Sequence, residues 1–162
     1  MVTIGKFELR RFTPDDLPAV IEINRTCLPE NYNSYFFLEV HQSCPEAFLV
    51  AASGGRVVGY MMCRIEHGFS EMSRLKMVKK AHLVSLAVVP EYRRMGVARA
   101  LMSGAIDAVT KRGAKEFYLE VRVTNDPGIE LYKQLGFGIY RRIAYYYHDG
   151  AEAYVMSRKL TE

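Results

Sequence analysis

The chain has 162 residues, of which 49% are hydrophobic and 25% are charged. That balance excludes a disordered chain, and the length allows a hydrophobic core without disulfide or metal support. We therefore expect a single domain over residues 1–162. The net charge of +4 favours an anionic ligand or partner but does not identify one.

The number and spacing of the cysteines and the length of the apolar segments indicate the cellular compartment. Cys27, Cys44 and Cys63 are too few and too scattered for a disulfide framework. The charged, alternating first residues are unlike a signal peptide, and no apolar run approaches the ~20 residues of a membrane-spanning helix. We expect a cytoplasmic protein with no membrane partner.

Periodicity predicts a strand, two helices and a hairpin in the first half of the chain. Thr13 and Pro14, followed by two aspartates, are typical of a helix start, and Gly54-Gly55 is typical of a hairpin turn. The predicted elements are a strand over residues 3–11, helices from residue 14 to about 29 and over residues 34–43, and strands over residues 48–53 and 56–66.

The second half predicts strands that alternate with helices. Residues 67–80 lack clean periodicity and carry several basic side chains, so we expect an exposed loop there. The remaining elements are a strand over residues 81–89, a helix over residues 96–113, a strand over residues 116–123, a helix over residues 128–135, and strands over residues 137–147 and 151–158. This order predicts an α/β fold with a mixed sheet.

A candidate phosphate-binding turn, Arg93-Arg94-Met95-Gly96-Val97-Ala98, lies where an apolar strand meets the long helix. The N–H groups at a helix start are unpaired and the helix dipole is positive there, which suits a pyrophosphate. Gly96 would allow a close backbone approach, and Arg93, Arg94 and Arg99 would add positive charge. A glycine before a helix is also often only a turn, so both interpretations stay open for this segment alone.

Two longer segments resemble the GNAT superfamily of acetyltransferases. The stretch SLAVVPEYRRMGVARALM at 85–102 resembles its acetyl-CoA motif, and LEVR at 119–122, Asn125 and LYKQLGF at 131–137 are similar to a second family segment. The resemblance implies acetyl-CoA as cofactor and one α/β (α+β) domain with a mixed, mostly antiparallel seven-stranded sheet flanked by four helices. The cofactor-binding residues that it implies are Leu86, Ala87, Val88, Arg93, Arg94, Met95, Gly96, Val97, Ala98, Arg99, Asn125 and Tyr132.

Three further segments, at 28–32 (LPENY), 85–88 (SLAV) and 146–156, resemble the protein N-terminal acetyltransferases. The likeness is to the catalytic subunit of the A-type enzymes and, secondarily, to the ribosomal-protein-alanine N-acetyltransferases. It implies acetyl transfer to the α-amino group at protein N-termini, by direct attack in a ternary complex. The chain departs from the family at Asp126-Pro127-Gly128, where an alanine-rich helix start is common, and at His148, where alanine is usual.

Glu120 is the expected general base. It lies mid-strand among apolar neighbours, where a carboxylate has little reason to be unless it faces a polar site; an ion pair with Arg122 is the alternative. The ribosomal-protein-alanine enzymes use a glutamate at this position as the proton acceptor. His82, at the start of the neighbouring strand, is the second candidate and would act with Glu120 through an ordered water, although a lone histidine there is usually just solvated.

The remaining roles follow from the resemblance. Tyr132 lies where the superfamily places a hydroxyl beside the cofactor's sulfur, so it would protonate the departing thiolate or hold it by a hydrogen bond; alone, it would be interpreted as core packing. The Val88 N–H is the expected donor to the oxygen of the reacting acetyl group. The residues expected to contact the peptide substrate are Glu30, Tyr32, Tyr146 and Tyr147, which by themselves would be interpreted as a turn and a cross-strand aromatic pair.

Several alternatives are weighed against this interpretation. No metal site is expected, because His41 and Cys44 supply only half of one, and Cys63 is expected to be a buried thiol rather than a nucleophile. The acceptor could instead be a lysine side chain or a small amine, or the chain could be a non-catalytic nucleic-acid-binding module that uses its basic residues 74–80. The need for a ribosome or an auxiliary subunit as partner stays open.

Overall fold

The computed structural model describes residues 2–4 and 6–161, and this part of the chain contains four α-helices and eight strands. The helices are α1 (Leu17–Cys27), α2 (Ser34–Ser43), α3 (Val97–Lys111) and α4 (Asp126–Gln134). The strands are β1 (Val2–Ile4), β2 (Phe7–Arg11), β3 (Phe48–Ser53), β4 (Arg56–Phe69), β5 (Met77–Val88), β6 (Glu116–Arg122), β7 (Gly138–Ile143) and β8 (Ala153–Lys159).

The strands form one sheet in the order β1-β2-β3-β4-β5-β6-β8-β7. Parallel pairing joins β5 to β6, the two strands that flank α3 in the chain, and the pairs β1–β2, β2–β3, β3–β4, β6–β8 and β7–β8 are antiparallel. The expected α/β class, with a mixed, mostly antiparallel sheet and four helices, is confirmed. The described residues contain eight strands rather than seven because the predicted opening strand is two antiparallel strands, with Val2 opposite Leu9.

The chain forms two compact units, and the expectation of a single domain stays a prediction. The first unit comprises Met1–Arg64 and Val84–Ala108, and the second comprises Ile65–Leu83 and Val109–Glu162. The boundaries between the units fall inside β4, β5 and α3. No helix among the described residues is long and apolar enough to cross a membrane.

The first unit has an aromatic and aliphatic core. Phe12 stacks on Phe48 with ring centroids 4.0 Å apart, and both rings are buried. The chain enters α1 through a 3-10 turn over Pro14–Asp16, where Thr13 and Asp16 form a capping box. The Asp16 carboxylate also binds the Arg10 guanidinium at 2.7 Å, so one side chain ties β2 to the start of α1.

The second unit is organised on β6. Its residues alternate between buried Phe117, Leu119 and Val121 and half-buried Tyr118, Glu120 and Arg122, as the sequence predicts. Ile129 and Tyr132 are the buried residues of α4. The polar face of β6 is therefore left for contacts with other polar side chains of this unit.

The exposed loop predicted over residues 67–80 is confirmed only in the middle, where residues 70–76 lie outside the strands and residues 73–76 are exposed. On either side, β4 continues to Phe69 and β5 begins at Met77. Lys80 is only 7% exposed, and its ammonium donates to Glu71 at 2.9 Å and to the Phe69 carbonyl at 2.7 Å. The sequence analysis missed these strand ends because it interpreted the basic side chains as solvent-exposed. It did not identify the ion pair between Lys80 and Glu71.

The last hairpin is also shorter than predicted. β7 ends at Ile143 rather than near residue 147. Tyr145 adopts a left-handed φ of 56°, a conformation that is incompatible with a continuing strand. Tyr147 lies in the turn that follows, where its carbonyl accepts a hydrogen bond from the Gly150 N–H at 2.9 Å. It is therefore not part of a cross-strand aromatic pair.

Candidate active site

In the first unit, the turn before α3 has the backbone that a phosphate-binding site needs. Gly96 has a φ of 82°, and no atom lies within 4 Å of the position where a Cβ would be. Arg94 is also left-handed, with a φ of 62°. Arg93, Arg94, Met95 and Gly96 are exposed, and the helix begins at Val97. The turn is therefore exposed where the helix begins, and the N–H groups of a first helical turn have no partner within the helix, which fits a diphosphate.

The predicted pantetheine-binding residues Leu86, Ala87 and Val88 form the end of β5. The Val88 carbonyl accepts a hydrogen bond from the Arg93 Nε at 2.9 Å, so Arg93 braces the turn. Gly59 of β4 allows the backbones of β4 and β5 to lie close together here, because a Cβ at Gly59 would lie 3.2 Å from the Ala87 carbonyl oxygen. Of the other predicted cofactor residues, Val97 is buried, Ala98 is half-buried and Arg99 is exposed.

Asn24 of α1 holds the loop that carries Glu30 and Tyr32, and the sequence analysis missed it. Its side chain is 1% exposed. Its Nδ2 donates to the Glu30 carbonyl at 3.1 Å, and its Oδ1 accepts from the Tyr32 N–H at 3.3 Å. The Asn31 side chain donates to the Asn24 carbonyl at 3.0 Å. A polar residue on the otherwise apolar face of α1 was the signal that could have identified it.

Buried hydroxyls extend from Asn24 into β4 and β5. The Asn24 amide donates to the Tyr60 hydroxyl at 3.1 Å, and that hydroxyl is 2.7 Å from the Ser85 Oγ. Burial raises the pKa of Tyr60 to about 12. The Tyr32 hydroxyl donates to the Val84 carbonyl at 3.4 Å. The loop that carries two predicted substrate-binding residues is therefore fixed at both of them.

In the second unit, His82 and Glu120 are in direct contact. His82 lies within β5, opposite Tyr118 of β6, rather than at a solvated strand start. Its Nε2 is 2.6 Å from the Glu120 Oε1, and the two side chains are 14% and 16% exposed. This distance is a short hydrogen bond, where the sequence analysis placed a water between the two groups.

Two residues that the sequence analysis did not assign to the site complete this cluster. The Tyr118 ring stacks on the His82 ring with centroids 4.5 Å apart. The Tyr118 hydroxyl donates to the Glu66 Oε1 at 2.7 Å, and the Glu66 Oε2 is 3.8 Å from the His82 Nδ1. Burial, together with the hydrogen bond to Glu66, raises the pKa of Tyr118 above its ordinary value, so its hydroxyl stays a donor.

Tyr132 and Asn125 lie at opposite ends of α4. Tyr132 is 8% exposed, its ring contacts Phe137 edge to face, and burial raises its pKa to about 12. The Asn125 side chain caps α4 by accepting a hydrogen bond from the Gly128 N–H at 3.1 Å. α4 thus begins at Asp126, two residues earlier than predicted, because Asn125 supplies its N-cap.

Tyr146 and Tyr147 pack against each other, with ring centroids 4.9 Å apart. The Arg122 guanidinium lies over the Tyr147 ring at 4.1 Å and pairs with Asp149 at 2.9 Å. An ion pair therefore connects the turn at Asp149 and Gly150 to β6. Tyr146 is 43% exposed, which leaves it accessible to a ligand.

Cys44, Cys63 and His41 have packing roles. Cys63 is fully buried, and burial raises the pKa of its thiol well above the ordinary value. Cys44 is also buried, and the His41 ring packs edge to face on Phe12. Among the described residues, no group of three or more histidine, cysteine, aspartate or glutamate side chains is arranged to hold a metal ion.

Comparison with known proteins identifies the family. Residues 17–137 match the family model described as "Acetyltransferase (GNAT) family". The chain belongs to the GNAT family. GNAT acetyltransferases use acetyl-CoA, so the cofactor expected from the sequence is confirmed, and the turn before α3 fits its diphosphate.

Three proteins that are similar to this chain carry narrower names than the family. An N-alpha-acetyltransferase of Sulfurisphaera tokodaii is 46% identical and covers 96% of this chain and 94% of its own length. The N-terminal acetyltransferase A complex catalytic subunit NAA10 of Arabidopsis thaliana is 37% identical over 94% of this chain and 77% of that protein. The crystal structure of Ard1 from Thermoplasma volcanium has a TM-score of 0.84 at 33% identity, covering 98% and 100% of the two chains. The resemblance to N-terminal acetyltransferases is confirmed.

Proposed function

We propose that this protein transfers the acetyl group of acetyl-CoA to the α-amino group at the N-terminus of other proteins. The observation that carries the proposal is the 2.6 Å contact between His82 Nε2 and Glu120 Oε1. An α-ammonium must lose a proton before it can attack, and a shielded imidazole–carboxylate pair is suited to accept that proton. The names of the similar N-alpha-acetyltransferase and NAA10 proteins support a protein N-terminus as the acceptor.

Several groups of the first unit are proposed to hold the cofactor. Bound acetyl-CoA supplies an acetyl group that is activated as a thioester. The backbone N–H groups from Gly96 to Ala98 would bind its diphosphate, and the exposed Arg94 and Arg99 would add positive charge. The end of β5 at Leu86, Ala87 and Val88 would bind the pantetheine arm through backbone groups. Arg93 contributes by bracing the turn through its bond to Val88.

The proposed reaction balances as follows in protons and electrons. The α-ammonium gives one proton to the His82–Glu120 pair, and the nitrogen lone pair then forms the C–N bond to the acetyl carbon. The C–S bond breaks and its electron pair stays on sulfur. The nitrogen gives up a second proton, and the thiolate takes one from the Tyr132 hydroxyl, which is then reprotonated. One proton is released to solvent for each acetyl group transferred.

Tyr132 is suited to the acid role because its hydroxyl is protonated at neutral pH. Burial raises its pKa to about 12, so the hydroxyl stays protonated and can hold a departing thiolate by a hydrogen bond or give it a proton. The Val88 N–H is proposed to donate to the acetyl oxygen as negative charge develops there. Asn125 is proposed to act indirectly, as the N-cap that sets where α4 begins.

Four side chains are proposed to bind the peptide substrate. Glu30 would attract the α-ammonium, and its position is set because the Glu30 carbonyl accepts from Asn24 at 3.1 Å. Tyr32, Tyr146 and Tyr147 would contact the first residues of the peptide. The Arg122 guanidinium anchors the Tyr147 ring, and the Tyr146 ring packs against Tyr147.

The location and the partners are also proposals. The scattered cysteines, which form no disulfide among the described residues, support the cytoplasm. Protein N-termini are the proposed partner class. The similarity to a catalytic subunit of the N-terminal acetyltransferase A complex supports an auxiliary subunit, and contact with a ribosome stays a prediction. The buried, paired state of Lys80 removes one cation from the basic stretch that favoured nucleic acid.

The test is acetylation of matched peptides followed by mass spectrometry. One peptide has a free α-amine and no lysine, and its twin has a blocked N-terminus and one lysine; a small library varies the first two residues. We expect acetylation of the α-amine, and Glu120→Gln should lower kcat by ~10²- to 10⁴-fold at unchanged acetyl-CoA affinity. Glu130→Gln, the same change on the exposed side of α4, should have no effect.

Each other outcome contradicts a stated part of the proposal. A product on lysine alone would overturn the acceptor. An unchanged kcat in Glu120→Gln would overturn the base but leave the acceptor intact. No product with any peptide, although acetyl-CoA binds, would contradict peptide acetylation by this chain alone and point to a small amine as acceptor or to a required auxiliary subunit.

A further inference from the structure

His82 is enclosed by two carboxylates from two different strands. Among the described residues, the titratable groups that contact it are Glu66 from β4 and Tyr118 and Glu120 from β6. Lys80, on the same strand as His82, lies 4.5 Å over the Tyr118 ring. Two negative groups thus approach opposite nitrogens of one imidazole, while an aromatic ring covers its face.

The two nitrogens of His82 differ in how well they are satisfied. The Nε2 has its hydrogen bond to Glu120 at 2.6 Å. The Nδ1 is buried and has no hydrogen-bond partner among the described residues. The Glu66 Oε2 lies 3.8 Å from the His82 Nδ1, which is beyond hydrogen-bond distance but within the range of an ion pair.

The contacts around His82 are complete only when both of its nitrogens carry a proton. A neutral imidazole that donates from Nε2 to Glu120 turns a bare lone pair on Nδ1 toward the Glu66 carboxylate, which is repulsive. When the imidazole gains a second proton, its Nδ1–H faces an acceptor, and both carboxylates are then opposite a positive ring. Gain of one proton therefore completes the set of contacts around His82.

Tyr118 holds Glu66 in this position. Its hydroxyl donates to Oε1 at 2.7 Å, which leaves Oε2 directed to the histidine. The same Tyr118 ring stacks within 12° of parallel on the His82 ring. One tyrosine thus orients both the carboxylate and the imidazole, and it does so as a neutral donor.

We propose that Glu66, oriented by Tyr118, is a positioning residue that stabilises the proton-bearing form of His82 and so strengthens the His82–Glu120 pair as the base for the α-amine. This inference rests on the proposed function. It assigns the proton from the substrate to the imidazole, with Glu120 as its hydrogen-bond partner. Of the two members of the base pair, Glu66 approaches His82, and the effect of Glu66 on the reaction passes through that ring.

The first experiment compares pH–rate profiles of the wild type, Glu66→Gln and Glu66→Asp with the free-amine peptide. Glu66→Gln should lower kcat by about tenfold, less than the ~10²- to 10⁴-fold loss of a base itself. Its acidic limb should move to lower pH, because the imidazole loses the negative charge that favours its protonation. Glu66→Asp should restore part of both effects, and the peptide KM should change little. A profile that does not move in Glu66→Gln would overturn the proposal.

The second experiment needs no activity, so the two proposals can fail separately. Nitrogen chemical shifts of the His82 imidazole are followed through a pH titration without substrate, in the wild type and in Glu66→Gln. We expect the imidazole of the variant to lose its second proton at lower pH. Identical titrations would overturn the role of Glu66 even if the wild type acetylates peptides. A difference in titration, in a protein that acetylates no α-amine, would support the contact and overturn only the proposed function.

Discussion

Burial decides what the hydroxyl of Tyr132 can do. A tyrosine on a short helix ordinarily serves as packing, and its ring does pack against Phe137 with centroids 6.0 Å apart. Removing the hydroxyl from water raises its pKa to about 12, because the phenolate would lose its hydration. The same burial that stabilises the core therefore keeps a proton in place for a leaving thiolate.

Tyr132→Phe separates the packing of this residue from its chemistry. The ring and its contact with Phe137 remain, so the melting temperature should change little. The kcat should fall by ~10²-fold or more, because the thiolate loses its proton donor. Steady-state kinetics with the free-amine peptide measure this, and Tyr35→Phe, at an 84% exposed position, is the matched control. A kcat equal to that of the wild type would contradict the acid role.

The loop after α1 shows how one helix positions a neighbouring segment. Asn24 bonds to the Glu30 carbonyl and the Tyr32 N–H, while its backbone carbonyl accepts from Asn31. A loop of this length would otherwise sample many conformations, and each fixed residue costs entropy that these bonds must offset. The geometry of the proposed peptide contact is thus set from within α1.

Asn24→Ala should loosen this loop. We expect a peptide KM raised by about tenfold with little change in the KM for acetyl-CoA, and a loss of ~1–3 kcal/mol in the free energy of unfolding, because buried groups lose their partner. Peptide kinetics and urea denaturation measure the two effects. Val40→Ala, which deletes buried methyl groups in α2, is a control for lost stability alone. A peptide KM that rises equally in both variants would contradict the role of Asn24.

Across the whole molecule, carboxylates that are paired in the folded state link stability to pH. A hydrogen bond from Arg10 lowers the pKa of Asp16 below its ordinary value of 3.8. Burial alone would raise the pKa of Glu71, but hydrogen bonds from Lys80 and Arg141 hold it below its ordinary value of 4.5. Both groups bind fewer protons when folded than when unfolded, so their contribution is present above those ordinary values and is lost as the pH falls below them.

Urea denaturation between pH 7 and pH 3 tests this dependence. The free energy of unfolding should be nearly constant down to pH 5 and fall below it. Glu71→Gln should lower the free energy of unfolding by about 3–5 kcal/mol at pH 7, because Lys80 is left buried without its anion. The free energy of unfolding of this variant should then change less between pH 5 and pH 3. Glu91→Gln breaks the exposed pair with Arg56 and should leave the free energy of unfolding close to that of the wild type, because solvent screens an exposed ion pair. Equal pH dependence in Glu71→Gln and the wild type would contradict this account.

The sequence by itself determined the features that neighbouring residues encode. The turn around Gly96 follows from a glycine between an apolar strand and a helix, and the observed φ of 82° agrees with it. Glu120 was identified because a carboxylate interrupts an alternating strand. The order of strands and helices, and hence the mixed sheet, followed from local periodicity in the same way.

Only the tertiary structure decided the contacts between residues that are far apart in the chain. Glu66 and Tyr118 are 52 residues apart, and Glu71 and Arg141 are 70 apart. No local pattern reports such a pair, so Glu66 and Tyr118 were not assigned to the site, and His82 was given a water as its partner. Buried charges need partners at hydrogen-bond distance, and the sheet supplies those partners by pairing strands from distant parts of the chain.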